Sequence, residues 1–359
     1  MFSTPSYPSD ASRETAVPVE PLKELLVKMY VKMGMFKAEA EIAASRQVES
    51  DMRGIPSHGV RATPRYLKAM QTGDIDPRGQ TTTVVDTPAL AVLDGGRNIG
   101  HVCATRAMKL AIAKAKEVGT GTVVVKNSLH YGASGVYALM AAEQGMIGFT
   151  TTSTGGATVA AYGSTKAGTA NNAFAWAAPT RTGKPFCLDM ACAQSSWGKV
   201  DAWKMYGRPM PGDWALTAEG RPTTDPNQAK ILLPAAGARG SALALVCAFL
   251  TGPLVGGKMP LHKTRHPDQE DSEHFFYVID VARCGFADKF YDELDATLEE
   301  LRLFPPAEGV DRVTVAGDLQ TEQVLRAREH GVLLHADDLK ALGECAAKWK
   351  LPLPWEPTA

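Results

Sequence analysis

The chain carries almost no net charge. Its 359 residues hold 38 Lys and Arg against 39 Asp and Glu, a formal charge of −1. Such a balance supplies no field for nucleic acid or for an anionic membrane, so neither is expected as a partner. Long hydrophobic runs are missing as well: Ser241 to Leu250 falls far short of the ~20 residues that span a bilayer. Six cysteines (Cys103, Cys187, Cys192, Cys247, Cys284, Cys345) make no C-x-x-C pair and lie mostly in apolar runs. Free, buried thiols in a reducing cytoplasm are therefore expected, without a zinc site. The dinucleotide fingerprint G-x-G-x-x-G is absent. Its nearest approach, Gly119-Thr-Gly121, has Val124 where the third glycine belongs and precedes a strand pattern. Neither a Walker A sequence, nor H-E-x-x-H, nor a G-x-S-x-G elbow occurs, and no histidines share metal-ligand spacing on one helix face.

What the chain has in quantity is turns, with 33 Gly and 23 Pro. Residues 1–17 are rich in Ser, Pro and Glu and lack an apolar core, which predicts a disordered arm rather than a leader. Apolar residues at three- and four-residue spacing (Leu22, Leu25, Leu26, Met29, Met33) open a helical segment, and Lys37 to Met52 and Ser57 to Met70 continue it. From about residue 80 the pattern turns mixed. Thr81 to Leu93 holds β-branched runs, Ile99 to Val118 a helix, Thr122 to Val125 a buried strand, Ser134 to Gln144 a helix and Met146 to Thr152 a strand. Phe174 to Ala178 and Pro185 to Met190 flank a hairpin turn at Arg181 to Lys184; Gly207 to Gln228 is a long excursion of the kind that carries function or packs on a partner. Gly240 to Leu250 and Phe275 to Asp280 give one more helix and strand, and the remainder is helical. The fold class is α/β: residues 18–79 with 283–359 form a helical domain around a mixed α/β domain at 80–282.

Three segments hold the wrong residues for plain packing. Asp51-Met-Arg-Gly-Ile-Pro-Ser-His-Gly59 sets Ser57 and His58 on a tight turn after a helix, with Arg53, Arg61 and Arg65 placed to clamp a carboxylate and Tyr66 following. The plain alternative is a capping serine beside a surface histidine. Lys126-Asn-Ser-Leu-His-Tyr-Gly-Ala-Ser134 delivers His130 at a strand end, and Ser134 with the first-turn N–H groups offers a phosphate site. The tract Thr150 to Asn172 supplies small residues, hydroxyls and amides, including Ser153, Thr154 and Asn172.

In this order these motifs resemble the malate/L-lactate dehydrogenase type 2 family of NAD(P)-dependent oxidoreductases. Its D-x-x-G-x-x-S-H-G with a following Tyr stands as Asp51, Gly54, Ser57, His58, Gly59 and Tyr66; N-S-x-H-F/Y-G as Asn127 to Gly132; D-M-A as Asp189, Met190 and Ala191; and the late H-F-F-x-x-I-D strand as His274 to Asp280. The resemblance implies a non-Rossmann, layered NAD(P)-binding domain, and so accounts for the missing fingerprint. It implies a homodimer and a small carboxylate substrate. His130 takes the role of proton donor and acceptor with His58 beside it, and Ser57, Arg61, Arg65 and Tyr66 stand near the substrate. Ser134, Ser153, Thr154, Asn172, Asp189, Met190, Ala191 and Arg239 fall where the family binds NAD or NADP; no metal is implied. The chain departs from the family at Ala62, which replaces its arginine, at Ser153-Thr154, at Ala170 to Ala173 and at Arg239, which replaces a lysine. These departures make a dinucleotide-binding sensor or scaffold with altered catalysis the alternative function.

Overall fold

The computed structural model describes residues 7–153, 155–263 and 272–355. Along the chain run β1 (Glu14–Val17), α1 (Val19–Lys32), α2 (Lys37–Met52), two 3-10 turns (Pro56–His58, Val60–Ala62), α3 (Thr63–Thr72), β2 (Thr82–Asp86), β3 (Leu90–Asp94), α4 (Gly100–Val118), β4 (Thr120–Ser128), α5 (Gly135–Ala142) and β5 (Met146–Ser153). There follow β6 (Val159–Ala160), β7 (Ala167–Thr169), β8 (Ala173–Ala178), β9 (Phe186–Ala191), α6 (Trp197–Met205), β10 (Ala215–Leu216), β11 (Ile231–Leu232), α7 (Ala238–Thr251) and β12 (Ser272–Asp280). The chain closes with α8 (Ala287–Arg302), α9 (Asp318–His330), β13 (Val332–His335) and α10 (Ala336–Ala347).

The centre is a seven-stranded sheet in the order β2-β3-β4-β12-β5-β8-β9. Only β3 and β4 are parallel neighbours; every other pair is antiparallel, and β8 and β9 form the expected hairpin. This is a layered α/β sheet without the doubly wound parallel order of a Rossmann domain. Strand β12 enters late in the sequence, yet it lies between β4 and β5, pairing Phe276 with Val123 on one side and Thr150 on the other. On one face, Val123, Val125, Phe276 and Val278 pack under α4 and α5 in a core with Ala104, Met108, Val136 and Tyr137. On the other face, Phe174, Cys192, Ala244 and Cys247 join α7 to the sheet. The stretch 207–228 contributes β10 to a small second sheet, β10-β11-β6-β7, over a core containing Trp203 and Trp214.

The chain ends build a second core. Leu22, Leu26, Met29, Tyr30, Val48, Tyr66 and Leu67 meet Val332, Leu334, Leu342 and Ala346. Residues 283–331, assigned with this helical unit from the sequence, contribute none of that cluster's buried residues; α8 buries only Leu298. The arm expected to be disordered over residues 1–17 is ordered where it is described. Glu14 to Val17 pair with His335 to Val332, and Val17 is fully buried, so the edge of β13 and the helical core together hold it. Residues 1–6 lie outside the described residues. Helix α7 outruns the apolar segment that the sequence marks. The helix continues through Thr251 into the turn Pro253–Val255, so Ala238–Val255 is long and apolar enough by composition to cross a membrane, which the shorter run Ser241 to Leu250 did not suggest.

Candidate active site

The two cores meet along a seam, and both histidine turns are pinned across it. Leu129 is buried in the core of the chain ends and Tyr131 in the core beneath the sheet, so His130 between them is held at the boundary. The Ser57-His58 turn is bracketed in the same way, with Ile55 against one core and Val60 in the other. Each fixed loop thus carries a partly exposed imidazole, His130 between two buried residues and His58 between half-buried Ser57 and buried Gly59.

Close approaches explain two of the glycines that hold these turns. The Asp51 carboxylate accepts the Val60 N–H at 2.7 Å and lies where a Gly59 side chain would go, since a Cβ there would stand 1.9 Å from Oδ1. At Gly100, in the first turn of α4, a Cβ would meet the Leu129 carbonyl oxygen at 2.1 Å and the His130 carbonyl carbon at 2.6 Å. Asn127, next to the last residue of β4, takes a left-handed conformation (φ 51°) that bends the strand end, held by Asp94 at 2.8 Å.

The turns bring together the residues that the sequence singles out. The His58 and His130 rings lie 5.5 Å apart between centroids. Nδ1 of His130 is 2.6 Å from the Tyr66 hydroxyl and 3.3 Å from Nη2 of Arg65, whose guanidinium lies over the Tyr66 ring. Ser57 Oγ is 2.8 Å from Nδ1 of His58. Arg61 is turned elsewhere: it grips Asp338 of α10 through Nε at 2.9 Å and Nη2 at 2.8 Å, tying the turn to the helical unit. Arg53 is held by Glu49. Ala62 is buried in the helical core and presents nothing to a ligand.

Three groups escaped the sequence reading. His274 on β12 stacks on Tyr131 at 4.6 Å, donates from Nε2 to the Leu129 carbonyl at 3.1 Å and accepts at Nδ1 from Thr152 at 2.8 Å. It therefore fastens the root of the His130 loop. The H-F-F pattern flagged its strand and not this role. His101, in the first turn of α4, is fully buried and edge-on to Tyr66, and neither ring nitrogen has a partner among the described residues. Nothing in an apolar helix pattern distinguishes it. The third is Tyr7, whose hydroxyl is 2.5 Å from Ser57 Oγ.

Electrostatically the histidines are kept neutral. Burial, reinforced by Arg65, holds His58 at about 4; burial and the neighbouring His58 and Arg65 hold His101 at about 3; burial holds His274 at about 3. His130 is likewise pushed well below the ordinary histidine value by burial, then by Arg65 and His58. An unfolded chain binds these protons near ~6.5 while the folded one refuses them, so stability is full above that pH and is lost as pH falls toward 4. Burial raises Asp189 to about 6 and lifts Asp51, Glu143 and Asp201 as well, and these carboxyls act the other way over the range where they take up protons. The urea midpoint should fall between pH 6.5 and 4, and less steeply in His101→Gln. A midpoint that rises over that range would contradict this balance.

The segments expected to hold dinucleotide lie along β5, β9 and the start of α7. Ser134 Oγ is engaged by the Tyr131 hydroxyl at 2.7 Å. The Gly135 N–H, which the sequence offered to a phosphate, donates instead to Asp189 at 2.8 Å. Ser153 Oγ, Asn172 Oδ1 and Ser195 Oγ are buried with no partner among the described residues, while Asn172 Nδ2 donates to the Ala244 carbonyl at 2.9 Å. Buried donors and acceptors left without protein partners fit a ligand rich in hydroxyl, amide and phosphate groups, as a nicotinamide dinucleotide is. Met190 and Ala191 are half-buried on β9, Arg239 is exposed at the start of α7, and Thr154 lies outside the described residues. No group of three or more metal-ligating side chains occurs among the described residues.

The chain is similar to proteins of known family over most of its length. The model of the malate/L-lactate dehydrogenase family matches residues 17–343. The malate dehydrogenase of Pyrococcus horikoshii is 32% identical over 344 residues, covering 92% of this chain and 95% of that protein. The L-sulfolactate dehydrogenase of Methanocaldococcus jannaschii is 33% identical, covering 86% and 90%. Among solved structures, the delta1-piperideine-2-carboxylate reductase of Pseudomonas syringae superposes with a TM-score of 0.81 at 25% identity, covering 92% of this chain and all of that one.

Proposed function

Because the chain belongs to the malate/L-lactate dehydrogenase family of NAD(P)-dependent oxidoreductases, we propose that it interconverts a small 2-hydroxy acid and 2-oxo acid, or the matching cyclic imine carboxylate, with Arg65 as the carboxylate anchor. The observation that carries this reading is the Arg65 guanidinium 3.3 Å from Nδ1 of His130, while Arg61 is committed to Asp338. A guanidinium binds a carboxylate through paired, charge-assisted hydrogen bonds. The carboxylate is also the group that both substrate classes share.

Ser153, Asn172, Asp189, Met190, Ala191 and Arg239 are the residues we assign to the dinucleotide, with Ser134 supporting their frame. When bound, the nicotinamide supplies or takes the hydride. The neutral imidazole of His130 accepts the substrate hydroxyl proton on oxidation and returns it on reduction. With the Tyr66 oxygen accepting from Nδ1–H, that ring is fixed and the Nε2 lone pair is left to take the substrate proton. His58 and Ser57 line the same side and orient the reacting oxygen or nitrogen. The test is oxidation of NADH and NADPH against a panel of 2-oxo acids and cyclic imine carboxylates. Turnover with at least one member supports the reading, and tight cofactor binding without turnover across the panel favours a sensor instead.

We further propose a homodimer through α7. Leu243, Leu245, Val246 and Phe249 are 40–49% exposed along one helix whose other side is buried against the sheet. A contiguous apolar patch of this kind marks a protein interface. Light scattering should give a dimer for the wild type and a monomer for Phe249→Glu, and a monomeric wild type would contradict the assignment. Six cysteines present as free thiols suit a cytoplasmic location.

A further inference from the structure

The family match begins at residue 17, yet the residues before it reach the active site. Segment 7–17 crosses from the end of α6 to β13. The Ser9 carbonyl accepts from Arg208 at 3.3 Å, and the Arg13 guanidinium donates to the Met205 carbonyl at 3.1 Å. The Arg13 carbonyl accepts the Ala336 N–H at 2.8 Å, and Glu14 accepts from the Tyr206 hydroxyl at 2.5 Å. The ladder between β1 and β13 completes the attachment. At the other end, Pro8 is buried, and the Tyr7 ring packs on the core of Trp203 and Trp214 with the Lys199 ammonium 5.6 Å from its centroid. So anchored, the Tyr7 hydroxyl meets Ser57 Oγ at 2.5 Å, and Ser57 Oγ meets Nδ1 of His58 at 2.8 Å.

We infer that this segment is a strap that carries Tyr7 into the active site as a positioning residue, orienting the Ser57 hydroxyl and through it fixing the tautomer of His58. Each hydroxyl has one proton to give. Ser196 also faces the Tyr7 phenol, and its oxygen already accepts the Lys199 N–H at 3.2 Å, which leaves its own proton for the phenol oxygen. Tyr7 then donates to Ser57, and Ser57 donates to Nδ1 of His58. Burial keeps the phenol protonated, and His58 neutral, at ordinary pH. With Nδ1 accepting, the ring proton of His58 is confined to Nε2, a neutral donor suited to hold the oxygen or nitrogen of the reacting C=O or C=N group. The strap thus brings into the site a residue from before the matched segment 17–343; this inference rests on the dehydrogenase reading of the site.

The test combines steady-state kinetics with ¹⁵N NMR of histidine-labelled protein, comparing the wild type with Tyr7→Phe, which keeps the ring and removes the hydroxyl. Loss of one neutral hydrogen bond predicts a roughly tenfold rise in KM for the oxo acid or imine, with kcat and NAD(P)H affinity unchanged. The His58 ring shifts should move from a single Nε2–H tautomer toward an average of the two. An unchanged KM, or an Nε2–H tautomer retained in Tyr7→Phe, would overturn the inference and leave Tyr7 a packing residue. If Tyr7→Phe does not fold, Ser57→Ala breaks the same relay and must release the tautomer, or the inference fails. If the wild type turns over no substrate, the dehydrogenase reading fails separately. The ring shifts then decide the strap: an Nε2–H tautomer that Tyr7→Phe releases supports it, and an Nδ1–H tautomer in the wild type overturns it.

Discussion

His130→Ala should lower kcat by about 10²–10⁴-fold while leaving NADH or NADPH binding intact. The size follows from what the ring does. General acid–base catalysis at one proton contributes a factor of that order, and the substituted site still holds the cofactor and the carboxylate. The ring is costly to misplace as well as to remove. Leu129 and Tyr131 on either side are buried in different cores, His274 holds the Leu129 carbonyl, and Tyr66 holds Nδ1. Tyr66→Phe should therefore lose part of the same factor without any change of proton donor. Fluorescence titration of the cofactor together with steady-state rates checks both halves, and an unchanged kcat in His130→Ala would remove His130 from the chemistry.

Arg65→Gln should raise KM for the substrate by roughly 100-fold, a loss of charge-assisted hydrogen bonds worth ~3 kcal/mol, with a smaller effect on kcat. Arg61→Gln should behave differently. Arg61 is bound to Asp338, which is 5% exposed at its side chain, so that change strands a buried carboxylate and acts on stability first. The two arginines thus separate by readout, KM for one and the unfolding midpoint for the other. A second consequence of Arg65→Gln concerns His130. The guanidinium is among the groups that depress its pKa, so the histidine should titrate higher in that variant. Equal KM effects from Arg61→Gln and Arg65→Gln would contradict the anchor assignment.

The turns that bring the candidate residues together were more legible in the sequence than the architecture around them. Ser57, His58 and His130 could be found because turns carry them, and turns write themselves into Gly59 and Asn127, where close approach or a left-handed backbone dictates the residue. Which arginine serves the substrate was not legible. Arg61 and Arg65 lie one helical turn apart, and only Asp338, brought over by α10, separates them. His101 reads as one more residue of an amphipathic helix, because its burial under Tyr66 depends on how α4 meets the helical core. The strands of the central sheet followed local patterns, whereas β1, β6, β7, β10, β11 and β13 were not expected, β13 in a stretch read as helical, and the insertion of β12 between β4 and β5 is a long-range pairing that no local pattern encodes. The arm shows the same limit most clearly. Its Ser- and Pro-rich composition correctly lacks a core of its own, yet β13 and α6 supply one, and Tyr7 enters the site by borrowing it.

The most direct test of the central claim is the pH dependence of kcat/KM for hydroxy-acid oxidation, measured with saturating cofactor in the wild type and in His130→Ala. Neutral His130 is the base in that direction, so activity should rise with pH through its titration and level off above it. Burial and Arg65 place that rise below pH 6.5. The account predicts an acidic limb below that value in the wild type, absent from His130→Ala on its much lower plateau. The same acidic limb in His130→Ala would show that another group moves the proton.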